Sequence, residues 1–243
     1  MRGIFLACAM SLCLAALAGC GDDEVSPSPV PDTIHIAFQD GVSPSASYRG
    51  TADAVLKNDP DAAAANVNFG SSPSDTLGSV LLSTAFYERR LIVRMDISSI
   101  TDCSAVISAN LSIHVAPPAP DSITLEAHLV NMVSWKQWIE GSGGPANGVS
   151  WGTIDGQAPW VSSGGGDFFS AVIGPKTVSS DSVVTFSLSP AAVMEWIENP
   201  ASNHGIIIKT TDVSRARFAI VFQREHGVAA RRPRLEIAYR PGG

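Results

Sequence analysis

Residues 90–96 alternate. Leu91, Val93 and Met95 fall on one side of an extended backbone, and Arg90, Ile92, Arg94 and Asp96 on the other. A period of two over seven residues cannot hold one apolar face on a helix, so this stretch is a strand whose apolar side borders a core. The pattern turns Leu91, Val93 and Met95 inward and the charged set outward.

The same period recurs along the chain. Ala109, Leu111, Ile113 and Val115 alternate with Asn110, Ser112 and His114, and Ile123, Leu125, Ala127 and Leu129 alternate with Thr124, Glu126 and His128. The proline-rich turn at 117–121 between them predicts an antiparallel hairpin, with His114 and His128 together on its exposed polar face. Strands are also expected at 33–38, 50–56, 77–83, 183–188, 205–210, 217–223 and 234–240. The alanine run inside the polar loop 58–73 is read as loop. One short helix fits Pro190–Glu198: Ser189 stands at the N-cap, Pro190 at the first helical position, and Asn199-Pro200 ends it. Trp196 belongs on its apolar side, while Glu195 and Glu198 read as its exposed side. About ten strands with no strand–helix–strand rhythm predict an all-β fold, an antiparallel jelly-roll β-sandwich.

Before the first strand the sequence has a different texture. Arg2 precedes an apolar run at 4–17, too short for a comfortable permanent span, and the run closes on Leu17-Ala18-Gly19-Cys20. This resembles a bacterial lipoprotein leader, which implies cleavage before Cys20 and acylation of that cysteine by palmitate-like chains. The alternative is an ordinary secretory leader with an incidental cysteine. Residues 20–32, acidic and rich in Ser and Pro, read as a tether. The expected organisation is therefore a signal peptide at 1–19, the lipidated Cys20 and tether at 20–32, and one domain at 33–241. The address is the bacterial cell envelope, through a lipid anchor in the membrane. Cys8 and Cys13 leave with the leader, so Cys103 is the lone thiol of the domain and no internal disulfide is expected. Its place after a strand suits a small buried apolar residue.

Formal net charge is −7, one unit lower once Arg2 is cleaved away. An acidic chain without a basic cluster is poorly suited to phosphate neutralisation, so no nucleic-acid partner is expected. There is no G-x-S-x-G, P-loop or zinc signature, and no enzymatic activity is expected. His114, His128 and Glu126 lack a metal-ligand spacing and read as a solvated face. No metal or other cofactor is expected, apart from a weak Ca²⁺ option at the loop acids Asp59 and Asp61.

In order, four landmarks resemble one known family. Thr51-Ala52-Asp53-Ala54 is followed by Asn66-Val67-Asn68-Phe69-Gly70-Ser71-Ser72. Arg90-Leu91-Ile92-Val93-Arg94-Met95-Asp96-Ile97-Ser98-Ser99-Ile100 comes next, then Trp135 with Val149-Ser150-Trp151. The last is a helix carrying Trp196, then Asn203-His204-Gly205-Ile206-Ile207-Ile208-Lys209 and Arg232-Pro233-Arg234-Leu235-Glu236-Ile237. The set resembles the DNRLRE modules, secreted bacterial β-sandwiches similar to alginate-type carbohydrate-binding modules. The resemblance implies a jelly-roll sandwich and a polysaccharide ligand, acidic or from the envelope.

On that expectation Arg90 and Arg94 would fork carboxylates, Lys209 would add a point charge, and Trp151 and Trp160, set among glycines, would stack on sugar rings. The competing readings are ion pairs with Asp96, Glu126 or Glu236 for Arg90 and Arg94, and core or lid packing for Trp135, Trp138, Trp151 and Trp160. A structural or adhesive protein that binds other proteins is the second function open to this sequence, and a polysaccharide lyase or hydrolase the third. The sequence leaves the oligomeric state undetermined.

Overall fold

A computed structural model describes residues 33–64, 66–131, 136–162 and 164–242. The strands are β1 (Ile34–Phe38), β2 (Thr51–Lys57), β3 (Val67–Asn68), β4 (Ser74–Leu82), β5 (Ala85–Met95), β6 (Ala105–Val115), β7 (Ile123–Leu129), β8 (Gly144–Pro145), β9 (Ile173–Val178), β10 (Ser182–Leu188), β11 (Ile206–Thr210), β12 (Arg217–Phe222) and β13 (Arg234–Arg240). Two short α-helices, α1 (Pro60–Ala64) and α2 (Pro190–Glu198), complete the set.

All strand pairs are antiparallel, and they build a sandwich. Its first sheet runs β1-β13-β6-β10, and its second runs β2-β5-β11-β7-β9. β4 and β12 close one side: the first part of β4 pairs with β12, the rest pairs with β5, and β12 touches the end of β6 through Val221 and Val115. The handover falls at Gly78, which faces both Phe218 and Arg89. Its φ of 125° is one L side chains rarely adopt, and a Cβ there would lie 2.4 Å from the Arg217 carbonyl oxygen. Most connections carry the chain from one sheet to the other, which is the wrapping of a jelly roll.

Between the sheets the alternation is obeyed. Leu91, Val93 and Met95 of β5 meet Leu111, Ile113 and Val115 of β6, with Leu125, Phe186, Ile208, Leu235 and Ile237 around them. Helix α2 closes one end by burying Val193 and Trp196, and its limits match the sequence signals at Pro190 and Asn199. Cys103 is half-buried against this core, with Met194 Sδ 3.7 Å from its sulfur.

Two expectations are corrected. Strands 105–115 and 123–129 do not form a hairpin: β6 lies in the first sheet and β7 in the second. Both send their apolar residues into the same core, but from opposite sides, and the proline-rich connection crosses between sheets. Alternation fixes which face of a strand is buried and not which neighbour it pairs with. His114 and His128 are accordingly separated. The alanine run contributes to α1, a single helical turn, rather than to loop.

Candidate functional site

Along β2, β5 and β11 the second sheet is buried on both faces. Ala54 and Leu56 of β2, Ile92 of β5 and Ile207 of β11 point away from the main core, yet each is 0 % exposed. A roof of loop covers them with Trp138, Val149, Ile154 and Trp160, forming a second, smaller core. Asn68 of β3 fastens this roof. Its amide nitrogen donates to the carbonyls of Glu140 and Val149, and its amide oxygen accepts from the N–H groups of Gly70 and Gly143.

The residues expected to contact ligand lie on this covered face. Arg90 donates to the Gly164 and Gly165 carbonyls at 3.3 and 3.1 Å and pairs with Glu88 at 2.6 Å. Its guanidinium stands 4.8 Å from the Trp151 ring centroid and 5.4 Å from that of Phe168. Arg94 donates to the Gln137 side-chain oxygen and sits 4.9 Å from the Trp138 centroid. Burial lowers its pKa, opposed by the charges of Glu140 and Asp96. Trp151 is half-buried. Trp160 is 4 % exposed, and its indole N–H donates to the Ser150 carbonyl at 3.0 Å. Lys209 pairs with Glu126 at 2.7 Å, across the β11–β7 ladder.

The outward face of β5 is thus a roofed interior, and these side chains hold the roof. Neither arginine takes an acid named for it from sequence: Arg90 takes Glu88 and Arg94 takes Gln137. Burial alone would raise the Glu126 carboxyl, yet Lys209 and His128 together hold it below its usual range. His128 is itself buried, its Nδ1 3.0 Å from the Phe169 carbonyl oxygen. Trp135 and Cys20 lie outside the described residues.

Where the roof meets the rim of the sheet, acids gather. Asp53 of β2 is fully buried; Glu140 comes from the roof and Glu225 from the turn after β12. One carboxylate oxygen from each lies within 4.8 Å of the others. Arg224 stands among them, 2.7 Å from oxygens of both Glu140 and Glu225 and 3.6 Å from Asp40. Asp53 accepts the Arg224 backbone N–H at 2.9 Å, and the Asp53 N–H donates to Glu140 at 2.8 Å. Burial, reinforced by the charges of Glu225 and Glu140, pushes the Asp53 carboxyl well above its ordinary range. Burial carries Glu140 up to about 7 against the pull of the Asp53 N–H and Arg224, and it raises Glu225 as well. Asp59, by contrast, spends both oxygens on Arg89, at 3.0 and 2.5 Å, so that loop acid is already neutralised.

The outer face of the first sheet is open. Glu236 faces Asn110 and Asn110 faces Ser187 across neighbouring strands, and Arg234, Ser112 and Thr185 form the next row. Ser112 and Thr185 share a hydrogen bond of 2.9 Å, and Ser187 donates to the Asn110 amide oxygen at the same distance. His35 and Ser108 complete a groove of about 270 Å³ over β1, β13 and β6. A second recess of about 430 Å³ lies at the sandwich end, lined by Arg94, Asp96, Gln137, Trp196 and Asn203. Its amides already have partners: Gln137 donates to the Ala201 and Asn203 carbonyls and Asn203 to that of Met95.

Comparison with models of known protein families and with curated proteins finds no match. No described helix is long and apolar enough to cross a membrane.

Sequence reasoning passed over the acidic cluster and the open groove. Asp53 carried a signal: it is an acid inside the run Ala52-Asp53-Ala54-Val55-Leu56, where alternation gives it no polar face to share. The groove carried only the ordinary polar half of a period-two pattern.

Proposed function

We propose that this chain is a lipid-anchored, non-catalytic module of the bacterial cell envelope that binds carbohydrate, and that it does so on the open face of the first sheet. The observation that carries the reading is the contrast in chemistry between the two outer faces. On the open one, hydroxyl, amide, guanidinium and carboxylate groups line an antiparallel sheet beside the exposed Val183. Each such group can exchange its neighbour or water for a sugar hydroxyl at little net cost. Arg234 pairs with Glu236 at 2.9 Å on this face, which favours a hydroxyl-rich chain over a dense polyanion. The likeness to DNRLRE modules and the lipobox ending at Cys20 point in the same direction.

The test is binding to immobilised polysaccharides by protein secreted with Cys20→Ser. Retention is expected for wild type and is expected to fall at least tenfold in Asn110→Ala and Glu236→Ala with unfolding temperature unchanged. Binding that survives both substitutions, or no binding to any glycan, rejects the reading. The anchor is tested separately, by incorporation of labelled palmitate that Cys20→Ser abolishes.

One feature favours a second reading, adhesion to another protein. At the tip of the β4–β5 hairpin, Leu81, Leu82 and Phe86 are 50 %, 37 % and 43 % exposed. A stoichiometric partner lost on Phe86→Asp would favour it.

A further inference from the structure

The β4–β5 hairpin ends in a ribbon that outruns its sheet. β12 accompanies β4 only as far as Ser79, and β2 accompanies β5 only from Arg89, so residues 80–87 stand out two strands wide. Leu81 faces Phe86 across the ribbon, while Leu82 faces Ala85 and Val80 faces Tyr87 in the alternate rows. The two sets point to opposite sides of it. Residues 76–87 carry no charge. The ions at the ribbon's base are already paired: Lys57 with Asp75 at 2.8 Å, Arg89 with Asp59, and Arg90 with Glu88. An uncharged strand edge bearing exposed apolar side chains is a liability in water unless it meets something.

Beside the ribbon lies a recess of about 450 Å³, lined by Pro60 and Asp61 of α1 and by Leu82, Ser83 and Tyr87 of the hairpin. Asp59 also lines it but is spent on Arg89, so Asp61 is its one carboxylate without an ion pair among the described residues. A carboxylate and a phenol ring in one recess are suited to an ammonium group, through charge and through the ring face. We infer that this part of the molecule docks on a lipid bilayer. The ribbon tip enters the boundary between headgroups and acyl chains, and the recess takes the ammonium of a zwitterionic phospholipid headgroup. This goes beyond the carbohydrate reading and requires neither the glycan nor the acyl anchor.

Shape favours lipid over protein as the occupant. Three exposed apolar side chains on a convex tip offer only a fraction of the roughly 800 Å² that each partner buries in a specific protein complex, whereas lipid deforms around whatever enters it. Insertion is shallow, because the unpaired backbone groups on the ribbon's outer edges need water or headgroups as partners, and the Asp61 charge sets the same limit. The tether allows the contact. Extended, residues 20–32 would reach about 43–47 Å, more than the roughly 36 Å of the 11-residue β5, so a chain anchored at Cys20 can bring its tip to the same bilayer.

Flotation with vesicles tests this, using the chain secreted with Cys20→Ser, which has no acyl group of its own. Wild type is expected to float with vesicles of phosphatidylcholine and phosphatidylethanolamine. Vesicles of phosphatidylglycerol alone, anionic and lacking an ammonium, should hold it more weakly. Phe86→Asp is expected to lower the apparent affinity about tenfold and Asp61→Asn about threefold, each with the unfolding temperature unchanged. Val228→Asp, at an exposed apolar position in the segment after β12, should bind as wild type does. Should Phe86→Asp not fold, Leu81→Asp on the facing strand decides. Wild type that stays off all vesicles, binding that Phe86→Asp or Asp61→Asn retains in full, or a preference for phosphatidylglycerol overturns the inference. So does capture of a stoichiometric protein partner through Phe86 by a chain that no vesicle binds. No polysaccharide is present, so the result stands apart from glycan binding.

Discussion

The two outer faces of this sandwich start from the same period-two strands and end in opposite states. On the first sheet the outward positions include Ser108, Asn110, Ser112, Thr185 and Ser187, half-buried or exposed, with the exposed Val183 among them. On the second sheet the outward positions include Ala54, Leu56, Ile92 and Ile207, and they are sealed under Trp138, Val149, Ile154 and Trp160. The difference shows what the arginines of β5 are for. Arg90 and Arg94 sit at the boundary where apolar roof meets polar loop, with guanidinium groups 4.8 and 4.9 Å from the ring centroids of Trp151 and Trp138 and with donors on roof carbonyls and a roof amide. A guanidinium suits that boundary because it packs by its face and donates along its edge. In the roofed sheet, then, charge serves architecture; on the open sheet, polar groups remain at the surface.

The sharpest way to break the comparison is to remove the roof's centre. Trp138 is 1 % exposed, and its indole N–H donates to the His204 carbonyl at 2.8 Å. Trp138→Ala should cost about 3–5 kcal/mol, the range for large aromatic truncations in a core, measured by urea unfolding. The same preparation should show Arg90 newly reactive towards arginine-modifying reagents. A loss below about 1 kcal/mol would mean that the roof is a dispensable cover.

Arg90→Ala comes next. It leaves the Glu88 carboxylate, 13 % exposed, without its partner and the Gly164 and Gly165 carbonyls without a donor. A loss of about 2–3 kcal/mol is expected from removing one member of a partly buried charge pair together with its bonds. Arg90→Lys should recover less than half, since one ammonium cannot replace the guanidinium's bonds to Glu88 and to both carbonyls. If Arg90→Ala instead abolished glycan binding while leaving stability unchanged, the face would be a binding surface after all.

The cluster at the roof's rim gives a pH signature. Glu140 binds its proton in the folded chain up to about pH 7, against about 4.3 for a free glutamate. Between those values the native state holds more protons than the unfolded one, so stability is fully present below about pH 4.3 and is lost as pH rises through 7. Burial acts on Glu140 in that direction, helped by the charges of Glu225 and Asp40, and the Asp53 N–H and Arg224 oppose it. About 1–2 kcal/mol should disappear across the window, after allowance for solvent screening of a partly exposed group. Urea unfolding across this pH range should show the slope in unfolding free energy. A stability that rises between pH 5 and 7 would contradict this direction.

How much of this could be read beforehand follows from where each signal sits in the sequence. Leu91, Val93 and Met95 announced the main core because alternation is a local property of seven residues. So did the limits of α2, set by Pro190 and Asn199. Pairing partners are non-local, and the supposed hairpin of β6 and β7 failed for that reason. The roof, too, left a mark. Ala54-Val55-Leu56, Leu91-Ile92-Val93 and Ile206-Ile207-Ile208 are unbroken apolar triplets on three neighbouring strands, the pattern of strands buried on both faces. Reading β5 through its charged residues alone hid Ile92 and turned a covered face into an exposed one. The three members of the acid cluster, at positions 53, 140 and 225, come from segments so far apart in sequence that only the fold brings them together.

The smallest effect on stability tests the other half of the comparison. Asn110 lies on the open face, where its side chain is held by the Ser187 hydroxyl and by its place in the groove. Asn110→Ala removes a half-exposed amide whose lost bond water can replace, so its cost should stay within about 0.5 kcal/mol, well under that of any roof substitution. A double change with Ser187→Ala should add little more, because the two groups lose a bond only to each other. Near-zero loss of stability together with weakened polysaccharide retention would separate the faces cleanly, one built to hold the protein together and the other to meet a ligand. A loss as large as that of Trp138→Ala would show instead that the open face is structural too, and the carbohydrate reading would lose the surface on which it rests.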